Sequence, residues 1–342
     1  MKTDVTDNDE EVIINMYNKI SNIISNNKNK MIYQINSILV ETNYLIGKII
    51  VENEQNGNIR AEYGKEVLLK LSRKLTKKFG SGYSRTNLQN MRLFYYKYNK
   101  CQPLVGKLNW SHYCCLIYIE DDIERSFYEN ECINCKWSKR ELKRQIDSSL
   151  YQRLLLSNGN VNKEKVLNLS RKGQEINNPA DILKEPYVFE FLGIKENKPI
   201  LESDLEKSLI NHLSSFLMEL GKGFMYVGNQ VRITLDNNIH YYVDLVFYNK
   251  ILKCYVLIDL KMDDMKPEYV GQMNMYVNYY NKEIRDEDDN VTIGIILCTG
   301  KKGITMEYAL GGLSNNIFAH TYTYYMPNKN ELIDEIEKVL NN

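Results

Sequence analysis

No apolar run in this chain exceeds the length of a strand, so no segment approaches a membrane span. Nor does a positively charged start lead into a hydrophobic block, and the expected location is cytoplasmic. Without such a leader, the seven cysteines fit reduced thiols better than a disulfide framework. Cys132 and Cys135 form a CxxC, with Cys114, Cys115 and His112 upstream, but a second CxxC and a glycine-rich knuckle are both missing. The pair also falls within a predicted helix, which argues against zinc and for core thiols. Net charge is absent as well, since 44 Lys and Arg balance 44 Asp and Glu.

That zero is a sum of opposed halves. Residues 1–175 carry 28 basic side chains against 20 acidic, and residues 176–342 carry 16 against 24. Within the first half, residues 60–107 hold 12 basic and two acidic side chains, and residues 136–172 hold ten against three. Such blocks neutralise phosphates and draw in a polyanion before specific contacts form. The alternative is a solvated, lysine-rich helix face. A chain of 342 residues can fold as two domains, each with its own core. We divide it into a basic helical domain, 1–156, a linker, 157–180, rich in Asn, Gly and Lys with a closing Asn-Pro, and a second domain, 181–342.

The first domain reads as all helix. Apolar positions support a long helix from Glu11 to Glu54, which Ser25 to Lys30 (SNNKNK) could interrupt and Asn56-Gly57 ends. Tyr63 to Phe79 is a basic amphipathic helix closed by Gly80. Ser84 then suits an N-cap for a helix from Arg85 to Tyr98, with Leu88, Met91, Phe94 and Tyr95 inward. Arg85, Asn87, Gln89, Asn90 and Arg92 are left outside. Two helices joined by a short glycine-containing turn, with Arg, Asn and Gln early in the second, give a helix-turn-helix layout, and these five residues are the candidate DNA contacts. An ordinary helical hairpin gives the same pattern. Trp110-Ser111 and Trp137-Ser138 mark further helix starts. Ser138 and Glu141 form a capping box ahead of a basic helix to Leu155. Trp110 and His112 read as core and cap residues.

Chemistry concentrates in the second domain. Tyr241 to Lys261, YYVDLVFYNKILKCYVLIDLK, reads as two strands with a tight connection, Asp244 in the first and Asp259-Leu260-Lys261 closing the second. Strand side chains alternate, so Asp259 and Lys261 project to one side. Carboxylates buried in runs as apolar as VLVF and YVLI need a compensating partner, and a divalent cation serves two of them best. Mg²⁺ binds through one or two carboxylates plus substrate phosphate, which is phosphodiester chemistry. Lys261 would then orient water or neutralise developing charge. The competing reading is a surface hairpin whose acids pair with lysines.

The flanks supply the rest of a fold. Glu202 to Leu220 forms a helix with Leu205, Leu209, Leu213, Phe216 and Leu217 on its stripe and Glu206 near its start. Tyr226 to Leu235 is a strand bearing Gln230. After the hairpin, Lys266 to Asn281 is a helix opened by Pro267, with Gln272 and Tyr276 on one face. Val291 to Thr299 is a buried strand, and Phe318 to Met326 and Asn330 to Leu340 close the domain as strand and helix.

Leu205 to Gln230, YYVDLVFY, IDLK and KPEYVGQMNMYVN together resemble the YhcG-type family of the PD-(D/E)xK nuclease superfamily. GYSRTNLQNMRLFY and the Trp-Ser segments resemble the helical domain that accompanies it. The resemblance implies an α-helical, helix-turn-helix-like N-terminal domain and a C-terminal α/β restriction-endonuclease-like domain with a mixed central sheet. It makes Asp244 and Asp259 metal ligands, with Mg²⁺ or Mn²⁺ as cofactor, and Lys261 the catalytic lysine. Glu206 becomes an auxiliary acid, and Gln230, Gln272 and Tyr276 active-site neighbours, Gln272 counted with the catalytic set. Val243 stands where the superfamily name has Pro, and Asp259 is the shorter of the two acids its pattern admits. The implied function is metal-dependent hydrolysis of DNA phosphodiester bonds. The alternative is a catalytically impaired nuclease fold serving as a DNA-binding or assembly module. DNA is the expected partner; RNA, branched DNA and self-association stay open, and no membrane is involved.

Overall fold

In the computed structural model, the described residues are 4–55, 61–99, 107–157, 163–194, 201–235, 239–300 and 316–341. They form two compact units, Met1–Arg125 with Lys136–Leu142, and Ser126–Cys135 with Lys143–Asn342. No helix among the described residues is long and apolar enough to cross a membrane.

The first unit is built on α1 (Asp4–Gln55), α2 (Ala61–Phe79), α3 (Arg85–Tyr98) and α4 (Trp110–Leu116). Helix α1 runs unbroken through Ser25 to Lys30, so the break left open there does not occur. Ser, Asn and Lys are only mildly unfavourable in a helix, and the stretch holds no Gly or Pro to break it. Asn56-Gly57 lie outside the described residues. As expected, Gly80 closes α2 with a left-handed φ of 95° and Ser84 caps α3, its Oγ accepting from Asn87 N at 3.3 Å. At α4 the cap is Asn109, which accepts from His112 N, rather than Ser111.

Helices α1 and α3 pack so closely that one position in α1 must be glycine. A Cβ on Gly47 would stand 2.0 Å from Met91 O and 3.0 Å from Tyr95 Cβ. Backbone cannot give way as a side-chain tip does. Gly47→Ala is therefore expected to destabilise by about 1–3 kcal/mol despite alanine's better helix propensity, read as a lowered urea midpoint with an unchanged m-value.

Helices α5 (Asp122–Cys135) and α6 (Lys139–Asp147) each have residues in both units, and α7 (Leu150–Leu156) and α8 (Lys163–Lys172) of the second unit precede its sheet. The single helix expected from Ser138 to Leu155 is divided at Ser149, whose φ is 53°. Its capping box does form: Ser138 N donates to Glu141 Oε2 at 2.6 Å and Glu141 N to Ser138 Oγ at 3.3 Å. The expected linker contains α8, which is tied to α5 because Asn130 donates to Ser170 O and Asn134 to Lys172 O. Residues 126–135 and 143–156, assigned from sequence to the first domain, pack in this second unit.

The sheet has β1 (Tyr187–Val188), β2 (Phe224–Leu235), β3 (Ile239–Asn249), β4 (Cys254–Leu260), β5 (Ile293–Cys298) and β6 (Ile317–Thr323), in the order β1-β6-β5-β4-β3-β2. Strands β2, β3 and β4 are antiparallel neighbours, while β4, β5, β6 and β1 run parallel, so the sheet is mixed. Crossover α11 (Pro267–Tyr279) joins β4 to β5 and α12 (Lys329–Asn341) closes the chain. On one face, Val256, Ile258 and Leu260 of β4 pack with α9 (Glu202–Asn211) and α10 (Leu213–Leu220); on the other, Leu257 packs with α11. The expected helix from Glu202 to Leu220 is split at His212, with φ −112° and ψ 31°, whose ring Nδ1 lies 2.9 Å from Ser208 O.

Candidate active site

The β3–β4 hairpin brings Asp244, Asp259 and Lys261 together as strand alternation requires. Asp259 and Asp244 are 1% and 8% exposed, and Lys261 is 8% exposed. Lys261 Nζ lies 2.9 Å from Asp259 Oδ2 and 3.4 Å from Glu202 Oε1, with its charge over the Tyr269 ring at 5.3 Å. Strand β4 is pinned at this point, as Lys261 N donates to Leu297 O at 2.8 Å. Leu260 turns its side chain into the core and gives its N–H to Asp244 Oδ2 at 2.8 Å.

Alternation along β3 breaks just before Asp244. Val243 packs on one face and Leu245 on the other, although regular alternation would put both on the same face. Opposite Asp244 stands Gln230, whose φ of 47° is left-handed. That kink turns Asn229 and Gln230 to the same side. Asn229 Nδ2 donates to Glu206 Oε1 at 3.0 Å, and Gln230 Nε2 donates to Glu206 Oε2 at 2.7 Å and Asp244 Oδ1 at 3.1 Å. Glu206 thus fixes the amide that fixes Asp244.

The electrostatics follow from this burial. Asp259 is pushed up to about 7, first by burial and then by the Asp244 carboxylate, against the pull of Lys261. For Lys261, burial opposes the charged form, but Asp259, Asp244 and Glu202 outweigh it and hold its ammonium above the usual lysine range. Burial raises Glu202 as well. Tyr276 is raised by burial; its hydroxyl donates to Tyr242 O at 2.9 Å and accepts from Gln272 Nε2. Gln272 therefore meets Tyr276 rather than either carboxylate.

Asp259 Oδ2 is buried and lies 2.9 Å from the Lys261 ammonium. A carboxylate oxygen paired with one ammonium keeps further lone-pair capacity that a cation can take. Among the described residues no three His, Cys, Asp or Glu side chains group at metal-ligand spacing. Two carboxylates nevertheless suffice for Mg²⁺, which keeps several waters and takes substrate oxygens.

Sequence reasoning missed Glu202 as a member of this site. Its signal was its place four residues before Glu206, one helical turn away on the same face. In the first unit, Arg85 and Gln89 are exposed, but three of the candidate DNA contacts are engaged internally. Asn87 Oδ1 accepts from Trp110 Nε1 at 2.8 Å, Asn90 Oδ1 from Tyr118 OH at 2.7 Å, and Arg92 Nε donates to Glu54 at 2.7 Å. Cys132 is buried, and the Cys135 thiol donates to Glu131 at 3.2 Å.

Comparison with known proteins agrees with this layout. Residues 180–337 match the YhcG PDDEXK nuclease domain and residues 19–153 the DUF1016 N-terminal domain. The chain is 33% identical to "Putative nuclease YhcG" of Escherichia coli (strain K12), over 94% of this chain and 92% of that protein. Among solved structures, a repair endonuclease from Pyrococcus abyssi overlaps 37% of this chain and 49% of its own, at 15% identity and a TM-score of 0.26. EndoMS in its apo form overlaps 39% and 49%, at 16% identity and 0.24. This chain thus spans about half of each solved chain, and likeness at that level adds nothing to the sheet described above. With both family matches in order and a full-length relative at this identity, the chain belongs to the YhcG family of PDDEXK nucleases.

Proposed function

We propose that the protein hydrolyses DNA phosphodiester bonds with Mg²⁺ or Mn²⁺ held by Asp244 and Asp259. The observation that carries this reading is the convergence of two buried carboxylates and one ammonium at the end of β4, with Lys261 Nζ 2.9 Å from Asp259 Oδ2. The residues fit the cation, since each Asp244 oxygen spends one lone pair on a fixed donor and retains another. When bound, the cation polarises the scissile phosphate and lowers the pKa of a water.

The remaining steps belong to the chain. Lys261 stays protonated at neutral pH, so it acts as a charge and a donor rather than as a base. Its ammonium neutralises charge developing on the phosphoryl oxygens and orients the attacking water. Glu202 helps hold that ammonium in place. Glu206, through Gln230, acts on the orientation of Asp244 and is a positioning residue. The basic helices of the first unit supply affinity for the duplex, with Arg85 and Gln89 the free members of the set expected at the DNA.

The test is a cleavage assay on linear, circular, single-stranded and branched DNA, and on RNA, with Mg²⁺ or Mn²⁺. Cleavage of DNA that a chelator abolishes and added metal restores is the expected result. Silence on every substrate, with DNA still bound, would make the chain a binding module instead.

A further inference from the structure

Helix α1 carries an unusual amount of apolar surface on the outside. Ile13, Tyr17, Ile20 and Ile24 in its first half, and Met31, Ile35, Ile38, Leu45 and Ile49 in its second, are each between 49% and 68% exposed. Other apolar side chains of α1, among them Val12, Ile14, Met16, Ile23, Ile32 and Leu39, are exposed beside them, but these nine share one spacing. With Asn27 and Thr42 they run in steps of four and three, interrupted once by two successive steps of four at Met31. This is the seam of a coiled coil with a single stutter. The face that packs on α3 is another one, lined by Val40, Asn43, Gly47 and Ile50. The seam therefore covers no core among the described residues.

We propose that this seam joins two copies of the chain, α1 against α1, in parallel register. Three observations select a second copy as the occupant. From Ile13 to Ile49 the seam is about 54 Å long at 1.5 Å per residue, and only a helix of similar length and spacing fills it. Nine side chains exposed to this degree supply on the order of 800 Å², which is what each partner of a standard interface buries. Asn27 lies at a seam position, and the same helix in parallel register sets Asn27 against Asn27, where the amides bond each other instead of facing hydrocarbon. A two-fold pair is also self-complementary by construction. The proposal stands apart from the nuclease reading, because mass is measured without substrate.

The full-length protein at tens of micromolar should sediment at twice its 40.2 kDa chain mass. The double variant Ile20→Glu, Ile24→Glu should dissociate at least about 100-fold more readily, because it buries charge in an apolar seam, while keeping its circular dichroism. Asn27→Ile should tighten the assembly, since it replaces a polar layer by an apolar one. A 40.2 kDa wild type, or an assembly that survives the double glutamate variant, would overturn the proposal. Weakening by Asn27→Ile would overturn the parallel register.

Discussion

Lys261→Ala is expected to lower DNA cleavage by at least about 10²–10³-fold, the usual cost of removing one preorganised charge from a transition state. DNA binding should be unchanged. The variant loses the ammonium and also leaves Asp259 without its nearest opposite charge, in a setting where burial and Asp244 already favour the protonated acid. Lys261→Met separates the two effects from packing, because it keeps the stem against Tyr269 while removing the charge. Both variants should remain folded, since Lys261 contributes its backbone N–H to Leu297 O whatever its side chain. Fluorescence anisotropy on a labelled duplex, run beside the cleavage assay, reads binding separately. Loss of binding in step with cleavage would refute the division between a gripping and a cutting part, and full activity in Lys261→Met would remove Lys261 from the chemistry.

The order of strands and helices around this site was legible because each element carries its own period. Continuous apolar runs mark β4 and β5, buried on both faces, and Pro267 opens α11 at its first turn as expected. Asp244, Asp259 and Lys261 could be placed together because alternation along a hairpin is a local rule. What was not legible depends on partners distant in sequence or on single dihedral angles. Nothing in NQV announces the positive φ at Gln230 that turns Asn229 toward Glu206. Nothing in RTNLQNMR tells that Asn87 accepts from the Trp110 indole or that Arg92 pairs with Glu54. Breaks at His212 and Ser149 were missed for the same reason. Neither residue is a helix breaker by type, and each break comes from the chain's path around it.

Glu219 is the sharpest case of a residue whose importance the sequence hides. In LSSFLMEL it reads as an ordinary solvent-facing acid, yet it is 0% exposed. Its Oε1 accepts from Arg153 Nη1 at 2.5 Å and from Val188 N at 3.0 Å, and its Oε2 lies 3.2 Å from Arg144. Lys184 Nζ donates to its backbone carbonyl. Burial alone would push this carboxyl up, but Arg153, Lys184 and Arg144 outweigh it and bring it down to about 2. Arg153 is itself fully buried, on α7, so removing the acid strands a buried cation. Glu219→Ala is expected to cost about 3–5 kcal/mol, the usual penalty for breaking a buried pair from one side, and Glu219→Gln somewhat less. The pH dependence has a definite sign. A depressed carboxyl contributes its stability above its unfolded value and loses it as pH falls toward 2. Urea midpoints between pH 7 and pH 2 should therefore fall less steeply in Glu219→Gln than in the wild type. Parallel slopes would mean that the cluster binds β1 to α7 without depending on the charge of Glu219.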